Sequence, residues 1–266
     1  MGKLVSAAGM NALVTGASSG IGRGLALRLA HEGARVALVA RRVPELEAVA
    51  EEIARGGGEA RVLPCDVSDR AQATGIAEQV LREFGAVDIL VNNAGYGHHR
   101  TFLEWPLEDM GRMMRVNYFG ALYLTKALLP QMVERGRGWL VFLASVAGKL
   151  AVPEESAYVA SKFALVGLGE SLSFELEGAG VHVLNVCPGT IRTDFFDAEA
   201  LRRMPAVARR MMTDPGPLID AIMKALRRGQ HELVFPRFVG LGSVVRAIAP
   251  GFMRWSVRRT VLAAHR

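Results

Sequence analysis

Short runs of apolar residues alternate along the chain with longer segments in which apolar side chains recur every three or four residues. The short runs are bounded by Gly, Asp or Asn, and their continuous apolar character is typical of strands buried on both faces of a parallel sheet. Seven strands are predicted on this basis, over residues 12–15, 35–40, 60–65, 87–92, 139–144, 181–187 and 232–235.

The segments between these strands have the helical period. Helices are predicted over residues 21–31, 44–55, 70–84, 107–135, 157–177 and 218–228. Each is long enough to cross back over the sheet, and right-handed crossovers give an α/β, Rossmann-like doubly wound fold, a seven-stranded parallel sheet with helices on both faces. The segment 195–217 lacks a clean period and is rich in Arg, Met and Pro, so we predict a lid over a cleft there.

The composition is that of a globular protein in a reducing compartment. Of 266 residues, 50% are hydrophobic and 22% are charged, which excludes a disordered or fibrous chain. Cys65 and Cys187 have no CxxC spacing, so neither a zinc site nor a disulfide is predicted. We find no signal peptide and no apolar run of 18 residues, and we expect a cytoplasmic location. Arginine outnumbers lysine 27 to 5, which suggests a GC-rich bacterial gene.

The net charge of +6 resides in the last part of the chain. Residues 236–266 contain no acidic residue and six arginines, which are Arg237, Arg246, Arg254, Arg258, Arg259 and Arg266. We therefore predict a single domain over residues 1–235 and a basic, apolar extension over 236–266. The apolar residues Phe238, Leu241, Val244, Val245 and Ile248 share one side of a helical wheel, opposite Ser243 and Arg246.

Two interpretations of this extension remain open. It could lie peripherally on the inner face of a membrane, with arginines at anionic headgroups, or it could form a contact in a homo-oligomer. Nucleic acid is not expected as a partner, because no recognition motif accompanies the charge.

A glycine-rich turn joins the first predicted strand to the first helix. Its sequence, TGASSGIG over residues 15–22, combines tight turning with the free N–H groups of a helix start, which favour a phosphate. The candidate ligands are Gly16, Ser18, Ser19, Gly20, Ile21 and Gly22. The spacing departs from GxGxxG, so a purely structural turn is the alternative.

Arg41 and Arg42 follow the second strand, about 20 residues after the glycine-rich turn. An acidic residue at this position suits the ribose of NAD(H), whereas arginine suits a 2′-phosphate, so we predict NADP(H) rather than NAD(H) as the cofactor. Solvated surface arginines are the alternative. Asp66 and Val67 end the third strand, where the Asp66 carboxylate could accept a hydrogen bond from adenine or could instead cap the next helix.

Tyr158 and Lys162 are four residues apart on a predicted helix and so share one face. A neighbouring ammonium favours the ionised phenol, so the pair could serve as general acid or base nearer neutral pH. By itself this spacing is common on helix surfaces.

Several motifs occurring together resemble the short-chain dehydrogenase/reductase family, over nearly the whole chain to about residue 235. They are the TGASSGIG turn, the NNAG sequence at residues 92–95, Asn117, Ser145, the YVASK sequence at 158–162, and the PGT sequence at 188–190 followed by Thr193. The resemblance implies homodimers or homotetramers and hydride transfer between NADP(H) and a small-molecule carbonyl or alcohol.

The resemblance also implies residue roles. Tyr158 would exchange a proton with the substrate oxygen, Ser145 would hydrogen-bond that oxygen, and Lys162 would hold the nicotinamide ribose. Asn117 would anchor a water that relays protons to Lys162. The residues Asn93, Ala94 and Gly95 would line the adenine-ribose side, and Pro188, Gly189, Thr190, Ile191 and Thr193 would brace the nicotinamide.

Simpler roles remain open for some of these residues. Ser145 could cap the following segment, Asn117 could bond within its own helix, and Asn92 and Asn93 could form only a turn. The adjacent His98 and His99 are expected on a loop surface, and Met110, Met113 and Met114 in helix packing.

We therefore expect an NADP(H)-dependent oxidoreductase. The apolar residues after the PGT motif, which are Phe195, Phe196, Met204, Met211 and Met212, suggest a lipid-, steroid- or acyl-like substrate. They could equally pack a lid onto the core. A non-catalytic, redox-sensing NADP(H)-binding regulator is the alternative function.

Overall fold

The computed structural model describes residues 3–204 and 206–260, without the side chains of residues 206, 207 and 260. Seven strands form one sheet: β1 (Asn11–Thr15), β2 (Arg35–Ala40), β3 (Glu59–Pro64), β4 (Ile89–Asn92), β5 (Gly138–Leu143), β6 (Val181–Pro188) and β7 (Glu232–Phe235). All pair in parallel, in the order β3-β2-β1-β4-β5-β6-β7. The order reverses between β1 and β4, and a doubly wound sheet opens a crevice at its carboxyl edge there. The predicted fold class is confirmed.

Helices cover both faces of this sheet. In chain order they are α1 (Gly20–His31), α2 (Val43–Arg55), α3 (Arg70–Phe84), α4 (Leu107–Met114), α5 (Gly120–Glu134), α6 (Ser156–Glu175), α7 (Ala198–Arg203), α8 (Ala206–Arg210), α9 (Pro215–Arg228), α10 (Leu241–Ile248) and α11 (Pro250–Thr260). One core cluster packs α1, α2 and α9 against the sheet, and a second packs α3, α5 and α6 on the other face. Every residue of the strands β5 and β6 is buried, which explains their largely apolar sequences, interrupted only by His182 and Asn185 in β6.

The predicted helix over 107–135 is interrupted. The structure has α4, then a π-helical turn over Arg115–Phe119, then α5. A π turn accommodates one extra residue, a change of pitch that apolar periodicity does not reveal, and such turns occur often at functional sites. This one contains Asn117.

Two predicted segments without clear boundaries also acquire structure. Residues 195–217, predicted as a lid, contain α7 and α8 and the start of α9. The extension forms α10 and α11, and Arg266, the last of its arginines, lies outside the described residues. Within residues 3–204 and 206–260, no helix is long and apolar enough to cross a membrane.

Candidate active site

A cleft of about 940 Å³ lies along the carboxyl edge of the sheet. The loops after the first six strands and the N-terminal part of α6 contribute to its walls. All of the predicted cofactor and catalytic residues line it except Gly22 and Asn117, which lie behind it. The fold therefore brings residues that are up to 177 positions apart, from Gly16 to Thr193, into one site.

The glycine-rich turn is packed too tightly for side chains. Gly16 and Gly20 have positive φ angles of 63° and 56°. A Cβ on Gly22 would lie 2.3 Å from the carbonyl oxygen of Gly16 and 2.4 Å from Nδ2 of Asn93. The first turn of α1 has no acidic residue, and the Ser19 side chain does not cap it, so its amide groups are free to bind an anion. This cradle fits the phosphates of a dinucleotide.

Asn93 fastens the turn to β4. Its side chain donates to the carbonyl oxygen of Thr15 (2.9 Å), and the hydroxyl of Thr15 accepts from the backbone N–H groups of Asn93 and Ala94, both at 2.9 Å. These bonds join two neighbouring strand ends, so Asn93 does more than form a local turn. Asn92 points elsewhere, and its Nδ2 donates to the Thr125 hydroxyl at 3.0 Å.

Arg42 lies against the glycine-rich turn. Its Nη2 donates to the hydroxyls of Ser18 (3.0 Å) and Ser19 (2.9 Å), and its Nη1 lies 3.4 Å from the Glu45 carboxylate. The Arg41 guanidinium is near enough to Asp66 to favour its ionised form. Both arginines line the cleft at its adenosine end, where a 2′-phosphate would lie.

Asp66 does not cap the next helix. The carboxylate of Asp69 does so, accepting from the backbone N–H groups of Ala71 and Gln72. Asp66 instead accepts hydrogen bonds from the N–H and hydroxyl of Ser68. Burial opposes ionisation of Asp66, but the Ser68 bonds and two nearby arginines outweigh it and lower its pKa. The capping alternative for Asp66 is wrong, and its carboxylate stays on the cleft wall.

Ser145, Tyr158 and Lys162 meet at the centre of the cleft. The Ser145 side chain lies close enough to the Tyr158 phenol to favour its ionised form. Lys162 is buried, its Nζ donates to the carbonyl oxygen of Leu143 at 2.8 Å, and the same Nζ lies 5.7 Å from the centre of the Tyr158 ring. Ser145 also caps the short 3₁₀ turn over Val146–Gly148 by accepting from the backbone N–H of Ala147. It thus combines the simple capping role with a place beside the phenol.

The electrostatics of this trio differ from the sequence-based expectation. Burial raises the pKa of Tyr158, and the nearby Ser145 side chain opposes this only in part. Burial also lowers the pKa of Lys162 to about 8. The expectation that the phenol pKa lies closer to neutrality is wrong in direction for the chain alone, because desolvation of the buried phenol outweighs the opposing effect of Ser145.

Asn117 joins three elements. From the π turn, its Nδ2 donates to the Tyr96 carbonyl oxygen and to the Ser161 hydroxyl, both at 2.9 Å, and its Oδ1 accepts from the Tyr96 N–H at 2.9 Å. The alternative that it bonds within its own helix is wrong. Its bonds hold the loop after β4 against α6 beside Lys162.

A second polar pair in the cleft escaped sequence reasoning. Nε2 of His99 lies 3.0 Å from the carboxylate of Glu155, and both side chains are largely buried. The expectation of a surface loop is therefore wrong for His99, although it holds for His98, which is 42% exposed. The sequence did contain one indication of this pair. Glu155 lies three residues before Tyr158, at the start of an apolar helix, and an acidic side chain there can face the same cleft as the tyrosine.

The lid segment supplies an apolar wall. Phe195 lies 5.8 Å from the Tyr158 ring, and Phe196, Met204 and Met211 also line the cleft. Met212 is not part of this wall. Met204 is buried as well, so the predicted substrate-facing and core-packing roles coexist in this segment.

Comparison with known proteins agrees with this architecture. The family model described as short chain dehydrogenase matches residues 10–203, about three quarters of the chain. The ketoacyl reductase HetN of Nostoc sp. is 34% identical over 226 residues, which cover 85% of this chain and 78% of that protein.

Glycine betaine reductase ATRR of Emericella nidulans is 37% identical over 227 residues, 84% of this chain. The chain spans only 18% of the length of that relative. A metagenomic short-chain oxidoreductase solved in complex with NADP matches with a TM-score of 0.74 and 33% identity, over 85% of this chain and 96% of that one. With its family motifs assembled around one cleft, the chain belongs to the short-chain dehydrogenase/reductase family of oxidoreductases.

Proposed function

We propose that the chain is an NADP(H)-dependent oxidoreductase that transfers a hydride between the nicotinamide and a hydrophobic carbonyl compound or the corresponding secondary alcohol. The observation that carries the proposal is that Ser145, Tyr158 and the buried Lys162 line the same cleft as the glycine-rich turn, with Lys162 Nζ 5.7 Å from the centre of the Tyr158 ring. This complete trio favours catalysis over the non-catalytic redox-sensing alternative.

Each member of the trio has a separate task. The bound nicotinamide supplies or accepts the hydride. Tyr158, which is protonated at neutral pH, donates a proton to the substrate oxygen during reduction, and Ser145 hydrogen-bonds that same oxygen. Lys162 holds the ribose hydroxyls, and its charge favours the phenolate that forms once Tyr158 has given up its proton. Asn117 holds the loop at Tyr96 in place next to this centre.

The cofactor preference rests on Arg42. Its guanidinium is fixed over the turn by Ser18 and Ser19, and a planar guanidinium suits a phosphate. The solved oxidoreductase in complex with NADP supports the same cofactor. Charge-assisted hydrogen bonds are worth about 1.5–3 kcal/mol, so Arg42→Asp should weaken NADPH relative to NADH by roughly 10- to 100-fold.

The substrate class rests on the apolar wall formed by Phe195, Phe196 and Met211. The name of the Nostoc relative, a ketoacyl reductase, supports an acyl-like compound. The panel to compare contains small ketones, 3-oxoacyl thioesters, steroids and long-chain aldehydes. We expect turnover to be higher for the large apolar compounds.

The test follows NADPH oxidation across this panel. We expect Tyr158→Phe to bind NADPH normally and to lose about 10²- to 10⁴-fold in turnover, the range for a general acid. Tyr123→Phe, on α5, is the matched control and should behave like the wild type. Near-normal turnover by Tyr158→Phe, or no turnover by the wild type with NADPH bound, would contradict the proposal.

A further inference from the structure

The first helix of the extension turns its apolar side away from the protein. Of the five residues on the apolar side predicted from the sequence, Leu241, Val244 and Ile248 are 63%, 51% and 79% exposed, Phe238 is also more than half exposed, and Val245 is partly buried. An amphipathic helix on a soluble domain normally buries this side. The orientation of α10 therefore leaves an apolar surface without a partner among the described residues.

The polar side of α10 is fixed against the domain. Nη1 of Arg246 donates to the carbonyl oxygen of Lys149 at 2.6 Å, and its guanidinium lies 5.3 Å from the centre of the Phe163 ring. A Cβ on Gly242 would lie 2.7 Å from the Leu150 side chain. These contacts hold the helix with its apolar side outward.

The next helix continues the same kind of surface. Phe252 and Trp255 stack with their ring centres 5.7 Å apart and are both more than half exposed. The Arg259 guanidinium lies 5.0 Å from the Trp255 ring, and Arg254 and Arg258 are exposed beside it. Aromatic rings next to arginines are typical of surfaces that lie at the boundary between lipid headgroups and acyl chains.

The charge of this surface indicates which kind of partner it binds. Residues 237–259 contain five arginines and no acidic residue. A second copy of the same surface would bring arginines against arginines, which is unfavourable. An anionic bilayer offers both negative headgroups and an apolar interior. We infer that α10 and α11 together dock the protein on an anionic lipid surface, with the apolar side chains inserted and the arginines at the headgroups.

The docking surface adjoins the cleft. Val239, just before α10, and Ser256 of α11 both contribute to the cleft lining. A protein docked in this way would hold the opening of its cleft near the bilayer. It could then take apolar substrates directly from the lipid, and this role rests on the proposed function. Docking itself does not depend on catalysis.

Vesicle flotation of the full chain tests the inference. We expect the wild type to float with vesicles of phosphatidylglycerol and phosphatidylcholine, and not with phosphatidylcholine alone. Each arginine near an anionic surface contributes about five-fold in affinity, so the double variant Arg254→Gln/Arg258→Gln should bind roughly 25-fold more weakly. Raising the salt concentration should weaken binding of the wild type as well.

Matched variants separate this surface from general adhesion. Ile248→Ser/Phe252→Ser should lose flotation, whereas Leu103→Ser, which removes a side chain that is 95% exposed elsewhere, should not. Arg55→Gln/Arg70→Gln is the charge control, because both arginines are exposed on the domain.

Three results would overturn the inference. The first is a wild type that does not float with anionic vesicles, and the second is a loss of flotation in the control variants as large as that in the surface variants. The third is a wild type that does not bind vesicles and instead forms a concentration-dependent dimer, which Ile248→Ser/Phe252→Ser abolishes. NADPH oxidation with a water-soluble carbonyl is measured on the same samples. Loss of flotation with turnover retained identifies a failure of docking, and flotation without turnover identifies a failure of the proposed function.

Discussion

Glu155 and His99 form a buried pair whose pKa values are shifted by burial, an effect that the residue types alone do not predict. Burial, with a smaller contribution from the neighbouring Glu154, raises the pKa of Glu155 to about 7. Burial also lowers the pKa of His99, with smaller effects from Glu154, Arg203, Asp197 and His98. Burial thus disfavours the charged form of each side chain, and Nε2 of His99 lies 3.0 Å from Oε1 of Glu155.

This pair predicts a pH-dependent stability. The folded-state pKa of Glu155, about 7, lies above its ordinary value of 4.5, so the folded protein holds a proton that the unfolded chain releases. The contribution of Glu155 to the free energy of unfolding is therefore present below pH 4.5 and is lost as pH rises to about 7. The loss is about 1–3 kcal/mol.

Urea unfolding of the wild type and Glu155→Gln at pH 5 and pH 8 measures this effect. The variant retains His99, so the wild-type advantage over Glu155→Gln should shrink between the two pH values. Glu177→Gln, at an exposed position after α6, is the control and should track the wild type. An advantage that stays constant or grows with pH would contradict the assignment.

Sequence reasoning identified residues whose motifs are local and missed those that depend on packing. Tyr158 and Lys162 share a helix face because of their spacing alone. The contact of His99 with Glu155 joins residues 56 positions apart, and no periodicity predicts which side of the loop after β4 faces inward. The pKa direction of Tyr158 failed for the same reason, because the depth of burial is a property of the whole fold.

At the scale of elements, the junction of β1 with α1 is constrained from both sides. Gly22 lies inside the helix, with the Gly16 carbonyl oxygen and the Asn93 side chain directly against it. Gly75 lies inside α3 with no atom within 4 Å of the position that a Cβ would occupy. The two glycines have the same helical setting and opposite packing.

Alanine substitution should therefore act in opposite directions at these positions. Gly22→Ala must shift the turn, which should cost about 1–3 kcal/mol of stability and weaken NADPH binding. Gly75→Ala fills open space and should gain about 0.5–1 kcal/mol from helix propensity. Urea unfolding and NADPH titration of both variants check this, and a Gly22→Ala protein with normal stability and binding would refute the packing argument.

The elements themselves were predictable to the extent that their apolar pattern is regular. The predicted strands and the structure agree within two residues at each boundary, because continuous apolar runs between turn residues leave little choice. The helix over 107–135 was predicted as continuous because a π turn leaves the apolar spacing nearly unchanged. α7 and α8 are short and follow the cleft rather than the sheet, so no period marks them.

For the whole molecule, the boundary between a domain over residues 1–235 and an extension over 236–266 stays a prediction, and the packing of the described residues bears on it. The buried residues of both core clusters lie within residues 4–226, and Leu233, Val234 and Phe235 of β7 are the partly buried residues after Leu226 that pack against them. The sequence alone indicates that the extension is amphipathic, but it does not indicate that the apolar side faces outward. That orientation depends on the hydrogen bond from Arg246 to the carbonyl oxygen of Lys149, which only the fold brings together. The homodimer or homotetramer implied by the family stays a prediction.

Truncation after Gly240 tests the predicted boundary between the domain and its extension. This variant keeps the 3₁₀ turn over Arg237–Gly240, where a Cβ on Gly240 would contact Val234 of β7. Its main losses are the bond from Arg246 to Lys149 and the cover over Phe163, so we expect a cost of no more than about 2 kcal/mol. Thermal unfolding should remain a single transition, about 2–4 °C lower per kcal/mol lost.

NADPH binding by the truncated chain should stay close to that of the wild type, because Ser18 and Ser19, which hold Arg42 over the glycine-rich turn, are retained together with it. KM for apolar carbonyl compounds should rise, since Ser256 is removed from the cleft wall, while turnover of small ketones is retained. A truncated protein that is unfolded, or that does not bind NADPH, would show instead that α10 and α11 are part of the domain. Their exposed apolar side would then be the outermost part of the domain's hydrophobic packing.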